Sequence, residues 1–214
     1  MSNQLALAAV TRVLQGVVQH AVGDVVPGAG VVTRRPERAA DPGQENASVN
    51  VLLMQVAPNT AWRNEDLPAR TAAGVLRARP RLALDLFYLL TFHGDDATLV
   101  PQRMLGAVLT ALNTTPQVSP ATIRAALAGG VDGVAGPLTG SDLADQVESI
   151  TLTLQRLSLD ELSKIWSVLL QVPYSLSALY VASVVVLEPD LDVVEAVAVG
   201  VDGVRVTMRN GGTA

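Results

Sequence analysis

The sequence predicts an α+β domain: a mixed β-sheet packed by helices, followed by a short C-terminal β-hairpin tail. Three observations carry that expectation. Residues 81–93 alternate with period two, which places Leu82, Leu84, Leu86, Tyr88, Leu90 and Phe92 on one face of a strand. Residues 3–22 repeat apolar side chains at helical spacing, with Val10, Leu14, Val17, Val18 and Ala21 on one face. Ser158 with Glu161 three residues on is a capping box, marking a helix start between two further strand-like runs.

Taken from the N-terminus, Ser2 or Asn3 can cap the first helix, and Gln4, Thr11, Gln15 and Gln19 lie opposite its apolar face. Gly, Asp and Pro in 23–30 break it. A short strand at 31–34 and a charged, Pro- and Gly-containing loop over 35–48 follow. In 49–57 Val49, Val51, Leu53 and Gln55 alternate against Asn50, Leu52, Met54 and Val56; both faces are largely apolar, which predicts a strand internal to a sheet. Residues 58–80 form a long polar loop bounded by Pro, and loops of that length in a compact domain often face a partner.

After the strand at 81–93, Gly94, Asp95 and Asp96 turn the chain into a helix with Met104, Leu105, Val108, Leu109 and Leu112 on its stripe and Pro101 in its first turn. A short helix over 119–128 starts on Pro120, and 129–140 is a Gly-rich connector. A strand at 147–157 points Ile150, Leu152 and Leu154 one way. The capped helix at 159–170 is expected to bury Leu162, Ile165, Trp166 and Leu169, and Pro173 ends it. Residues 175–187 are the last core strand. Residues 190–214, with apolar runs at 193–199 and 204–208 around a Gly-bearing turn, read as a hairpin tail to the domain formed by 1–189.

The 214 residues suffice for one substantial core, built mainly of Leu, Val and Ala because aromatics are scarce. Lys and Arg total 15 against 20 Asp and Glu, a net charge of −5, which argues against general nucleic-acid binding. There is no Cys, so neither a disulfide scaffold nor a thiolate metal site is available. The N-terminus lacks the pattern of a signal peptide, and no apolar run approaches the ~20 residues that span a bilayer.

Candidate chemistry is sparse. His93, Asp95 and Asp96 form the one cluster that could bind a divalent cation for a small hydrolase; the same residues also make an ordinary turn with an acidic helix N-terminus. The Gly-rich run at 129–136 lacks the Lys-Ser/Thr ending and the preceding strand of a phosphate loop. No catalytic, cofactor or metal residue is therefore expected. The polar loop carries Trp62 and a basic cluster including Arg63, Arg70, Arg77 and Arg79, candidates for partner contact or for a solvated loop.

The order of segments carries a resemblance. An N-terminal helix, the pair VNVLLMQVAPN and LALDLFYLLTFHGDD, the helix around RMLGAVLTALNTTP and the closing LSLDELSKIWSVLLQVPYSLSALYVASVVVLEP together resemble the tail-terminator, or cap, proteins of phage-tail-like contractile injection systems, over roughly residues 1–190. The connector at 128–140 and the tail do not carry it. The resemblance implies a non-enzymatic structural protein with no cofactor: a homo-hexameric ring that caps the inner tube, contacts the last sheath ring and ends polymerisation. It implies inner-tube and sheath partners, neither nucleic acid nor membrane insertion, and synthesis in a bacterial cytoplasm before joining the particle. A tube or baseplate adaptor of the same particle is the alternative reading.

Overall fold

Two long strands form the middle of the computed structural model: β3 (Leu82–His93) and β6 (Leu176–Leu187), antiparallel, with Phe92 opposite Leu176 and Leu82 opposite Leu187. The structure describes residues 3–34, 47–62, 81–128, 138, 140–146, 148–169 and 172–188. The expected hairpin tail, most of the Gly-rich connector, and Arg63, Arg70, Arg77 and Arg79 lie outside these residues.

The period-two face of β3 is the core face. Leu84, Leu86, Tyr88, Leu90 and Phe92 are all buried, while Leu82 at the strand's start is exposed. On the other face Leu89 and Thr91 are also fully covered. β2 (Ser48–Pro58) pairs antiparallel with β3 along its whole length, with a bulge between Leu53 and Gln55. β1 (Gly30–Val32) runs parallel to β2 but reaches only from Ser48 to Asn50. On the far side β5 (Ile150–Gln155) pairs with β6, and β4 (Gln117–Val118) closes the sheet. The order β1-β2-β3-β6-β5-β4, parallel only at β1–β2, makes the sheet mixed.

Three helices cover the core face: α1 (Ala6–Gly23), α2 (Val100–Thr114) and α3 (Pro120–Ala128). α1 contributes Val10, Val13, Leu14 and Val18, and α2 contributes Met104, Val108 and Leu112, to one apolar cluster with Tyr88, Leu90 and Phe92. Each such side chain, buried relative to solvent, contributes about 1.5–3 kcal/mol. Pro101 lies in the first turn of α2, where its missing N–H costs no helical bond.

Several details differ from the sequence expectation, each for a physical reason. The helix starts at Ala6, because Asn3 is drawn to 140–142: its N–H donates to Asp142 Oδ1 at 2.6 Å and its amide to the Gly140 carbonyl at 2.7 Å. The polar side of α1 is a fastening: Gln15 Nε2 donates to the Val31 carbonyl, Gln19 Nε2 donates to the Ala29 carbonyl, and Gln19 Oε1 accepts from Val31 N–H. These carboxamides bond the backbone of β1 and lash that edge strand to the helix. Leu154 is exposed, because β5 outruns the short β4 beside it. β2 is internal only where β1 flanks it: Val49, Asn50 and Val51 are buried, whereas Met54, Gln55 and Val56 are exposed.

Candidate functional site

Between β5 and β6 the chain inserts α4 (Leu159–Val168). Its start is held by the capping box: Ser158 Oγ accepts from Glu161 N–H at 3.2 Å, and the Glu161 carboxylate accepts from Ser158 N–H at 2.9 Å. The Ser158 backbone and hydroxyl bonds hold the Glu161 carboxyl below its usual range. Asp160 and Lys164 pair at 2.7 Å one turn apart, but both are largely exposed and the pair contributes little.

The expected buried face of α4 is only half covered. No residue of the helix is buried, and Leu162, Ile165, Trp166 and Leu169 are all intermediate. None of them packs against the core cluster, whose helical layer is already supplied by α1, α2 and α3. Pro173 returns the chain so that the Tyr174 ring meets Trp166 at 5.4 Å, tilted by 59°. The expectation of a core Trp is thus corrected to a half-buried Trp on an outboard helix. Its indole N–H is enclosed with no acceptor among the described residues. Leu159 is 85% exposed, Val168 80% and Tyr174 62%. Leu159 and Val168 were the sequence signal for this: they widen the apolar face beyond what one packed stripe requires.

A second surface is the end of β2. Asn59, buried, uses its whole side chain there. Its amide donates to Asp85 Oδ1 at 2.8 Å and Ser183 Oγ at 3.2 Å, and its carbonyl accepts from Ala61 and Trp62 N–H at 3.0 and 3.1 Å. Ser183 also donates to Asp85. Three polar side chains from three segments therefore fix the half-buried Trp62 at the root of the polar loop. Beside them Arg81 binds Glu188 at 2.6 Å, tying the start of β3 to the end of β6.

His93, Asp95 and Asp96 are engaged as turn residues. The His93 ring shares hydrogen bonds with Thr91 Oγ1 at 2.9 Å and Ser175 Oγ at 3.2 Å. Asp95 accepts from Ala97 N–H and Thr98 Oγ1, and the Thr98 bond, then the Ala97 bond, lowers its carboxyl pKa. Among the described residues no group of three or more His, Asp or Glu is placed to hold a metal ion. The crevice between α1, α3 and β5 is lined by Val10, Val13, Leu14, Val118, Ile123, Leu143, Ile150 and Leu152, with no polar group to orient a ligand. Among the described residues no helix is long and apolar enough to cross a membrane.

Exposed apolar side chains on α4 and at the end of β2 stand on this α+β frame. Residues 9–200 match the Pvc16 N-terminal domain, and the chain belongs to that family. Its fold is similar to that of the PVC sheath/tube terminator of an extracellular contractile injection system in its extended state, with TM-score 0.58 and 18% identity over 100% of this chain and 66% of that one. The tube-terminating cap of the anti-feeding prophage is also similar, with TM-score 0.49 and 18% identity over 90% of this chain and 59% of that one. The chain thus spans less than two thirds of either structure's length. No curated protein matches it.

Proposed function

We propose that this protein is a structural cap of a contractile, phage-tail-like injection particle: a non-enzymatic, homo-hexameric ring that ends the inner tube and anchors the last ring of sheath. The observation that carries this reading is that the whole chain shares its fold with a sheath/tube terminator. The surfaces suit the role. A ring of identical subunits needs two different faces on each subunit that meet head to tail. Leu159, Val168 and Tyr174 are exposed on and after α4, and Met54 and Val56 are exposed at the end of β2, next to the edge strand β1. Trp62, Arg63, Arg70, Arg77 and Arg79 are the proposed contacts to tube or sheath.

The test is deletion of the gene in the producing cell, followed by electron microscopy of purified particles. Tubes and sheaths of uncontrolled length, or tubes without sheath, are the expected result. Particles of normal length with normal ends would sink the cap reading.

A further inference from the structure

Two glutamines make the same bonding pattern on two different strands. Gln19 Nε2 donates to the Ala29 carbonyl at 2.9 Å, and Gln19 Oε1 accepts from Val31 N–H at 2.9 Å. Gln146 Nε2 donates to the Val184 carbonyl at 2.8 Å, and Gln146 Oε1 accepts from Val186 N–H at 3.0 Å. Each carboxamide thus bonds the carbonyl of one residue and the N–H two residues on. A residue of a parallel neighbouring strand bonds in that way, so each side chain stands where a strand's own backbone would.

Both glutamines act where a ladder stops. Among the described residues β1 is the outermost strand on its side of the sheet, paired with β2 on its inner flank. The Val31 carbonyl is taken as well, by Gln15 Nε2 at 2.8 Å, and Arg12 holds the Gln15 amide in that orientation by donating to its Oε1 at 2.8 Å. Both backbone groups of Val31, the middle residue of β1, are therefore bonded to α1. β6 is paired by β5 only as far as Ser183, and Gln146 takes over at the next residue. Backbone groups left unmade along a strand edge are a template for a further chain. A carboxamide that bonds them removes the template without adding a strand.

We propose that Gln19 and Gln146 are edge guards: they occupy the outward backbone groups of Ala29 and Val31 and of Val184 and Val186, and so keep a second copy of this chain from adding a strand at either place. Nothing in this depends on the cap reading. Gln19 gives the cleaner test, because it is exposed and its replacement forfeits little packing.

The experiment combines amide hydrogen exchange at Val31 with sedimentation velocity over a wide range of concentration, on the full chain and its Gln19→Ala and Gln19→Glu variants. Alanine removes the acceptor for Val31 N–H, whereas glutamate keeps it. In dilute Gln19→Ala, exchange at Val31 should accelerate about fivefold or more, as for the loss of one hydrogen bond. As concentration rises, that variant should form a larger species that the unaltered chain does not, and Val31 protection should return with it. Gln19→Glu should match the unaltered chain in both measurements. Gln146→Ala, followed at Val186, should behave as Gln19→Ala does. Sedimentation of either alanine variant indistinguishable from that of the unaltered chain would overturn the proposal for its edge. Association of Gln19→Glu as strong as that of Gln19→Ala would overturn it too, since the Val31 bond would not be the cause. So would association accompanied by lost protection of the buried Leu90 amide, which marks unfolding rather than strand addition.

Discussion

The Tyr88 hydroxyl lies 2.9 Å from the Thr11 hydroxyl, joining the middle of the central strand to α1. The Thr11 hydroxyl also lies 3.0 Å from the Leu7 carbonyl, one helical turn back. Burial pushes the phenol up to about 12, with the Thr11 contact working in the opposite direction. Unfolded tyrosine ionises near 10.0 while Tyr88 in the folded chain keeps its proton, so above that pH the unfolded state binds fewer protons and stability falls. The contribution is complete below 10.0 and is lost as pH rises to about 12. Tyr88→Phe should cost about 1 kcal/mol at neutral pH and flatten the alkaline decline, as read by denaturant unfolding. A residual slope is expected from Tyr180, whose pKa burial also raises.

Gly94 is required by close approach. A Cβ there would stand 2.6 Å from Val100 Cγ1, in the first turn of α2. Gly94→Ala should destabilise by about 1–3 kcal/mol through overpacking. Val100→Ala in the same chain should recover only part of that loss, since Val100 Cβ remains 3.2 Å away and the backbone at Gly94 has φ of 156°, and a double-mutant cycle by thermal unfolding would register the coupling. Additive effects would show that the contact is not the cause.

Leu99, next to it, has φ of 57° and is 55% exposed. A left-handed backbone under a bulky side chain costs about 1–2 kcal/mol, and exposure means little apolar burial is forfeited on replacement. Leu99→Gly should therefore leave the melting temperature unchanged or raise it. A clear fall would show that the side chain is needed for packing.

Ser158→Ala removes the capping box at a cost of about 1 kcal/mol to the helix. Because α4 buries none of its residues, the loss should stay local. Faster amide exchange within α4 is expected, with no matching shift in global unfolding. A global shift would place α4 in the cooperative core.

Asn59→Ala strips partners from Asp85, Ser183, and Ala61 and Trp62 N–H at one stroke. Leaving such groups unsatisfied costs about 1–3 kcal/mol. In a Trp166→Phe background, where Trp62 is the sole indole, its fluorescence should shift to the red. An unchanged spectrum would mean that Trp62 is held by something else.

How much of this was legible in the sequence follows from what amphipathicity can report. It shows which side of an element is apolar, so the core face of β3, the stripe of α2 and the Ser158–Glu161 box were readable in advance. It does not show whether another layer exists to cover that side. The apolar stripe of α4 and both faces of β2 read as interior, yet α1, α2 and α3 already fill the core and β1 ends at Val32, opposite Asn50 of β2. The roles of Gln15 and Gln19 were hidden for a related reason: a carboxamide facing water and one facing a strand backbone have the same pattern. The exposed apolar residues were thus legible as apolar chemistry but not as surface, and the proposed contact residues from Arg63 to Arg79 lie outside what the structure describes.

The placement of β3 against β6 also sets a timetable. The strand at the centre of the sheet leaves the ribosome by His93, but its partner on one side is not complete until Leu187. Contacts this distant along the chain must wait for loop closure and are slow to form. During synthesis the unpaired flank of β3, with Leu84, Leu86, Tyr88, Leu90 and Phe92 beside it, has only β2 and the early helices for company. A nascent chain arrested before residue 176 would expose that flank as a sticky intermediate. Expression yield should therefore depend on how quickly translation covers the stretch between the two strands.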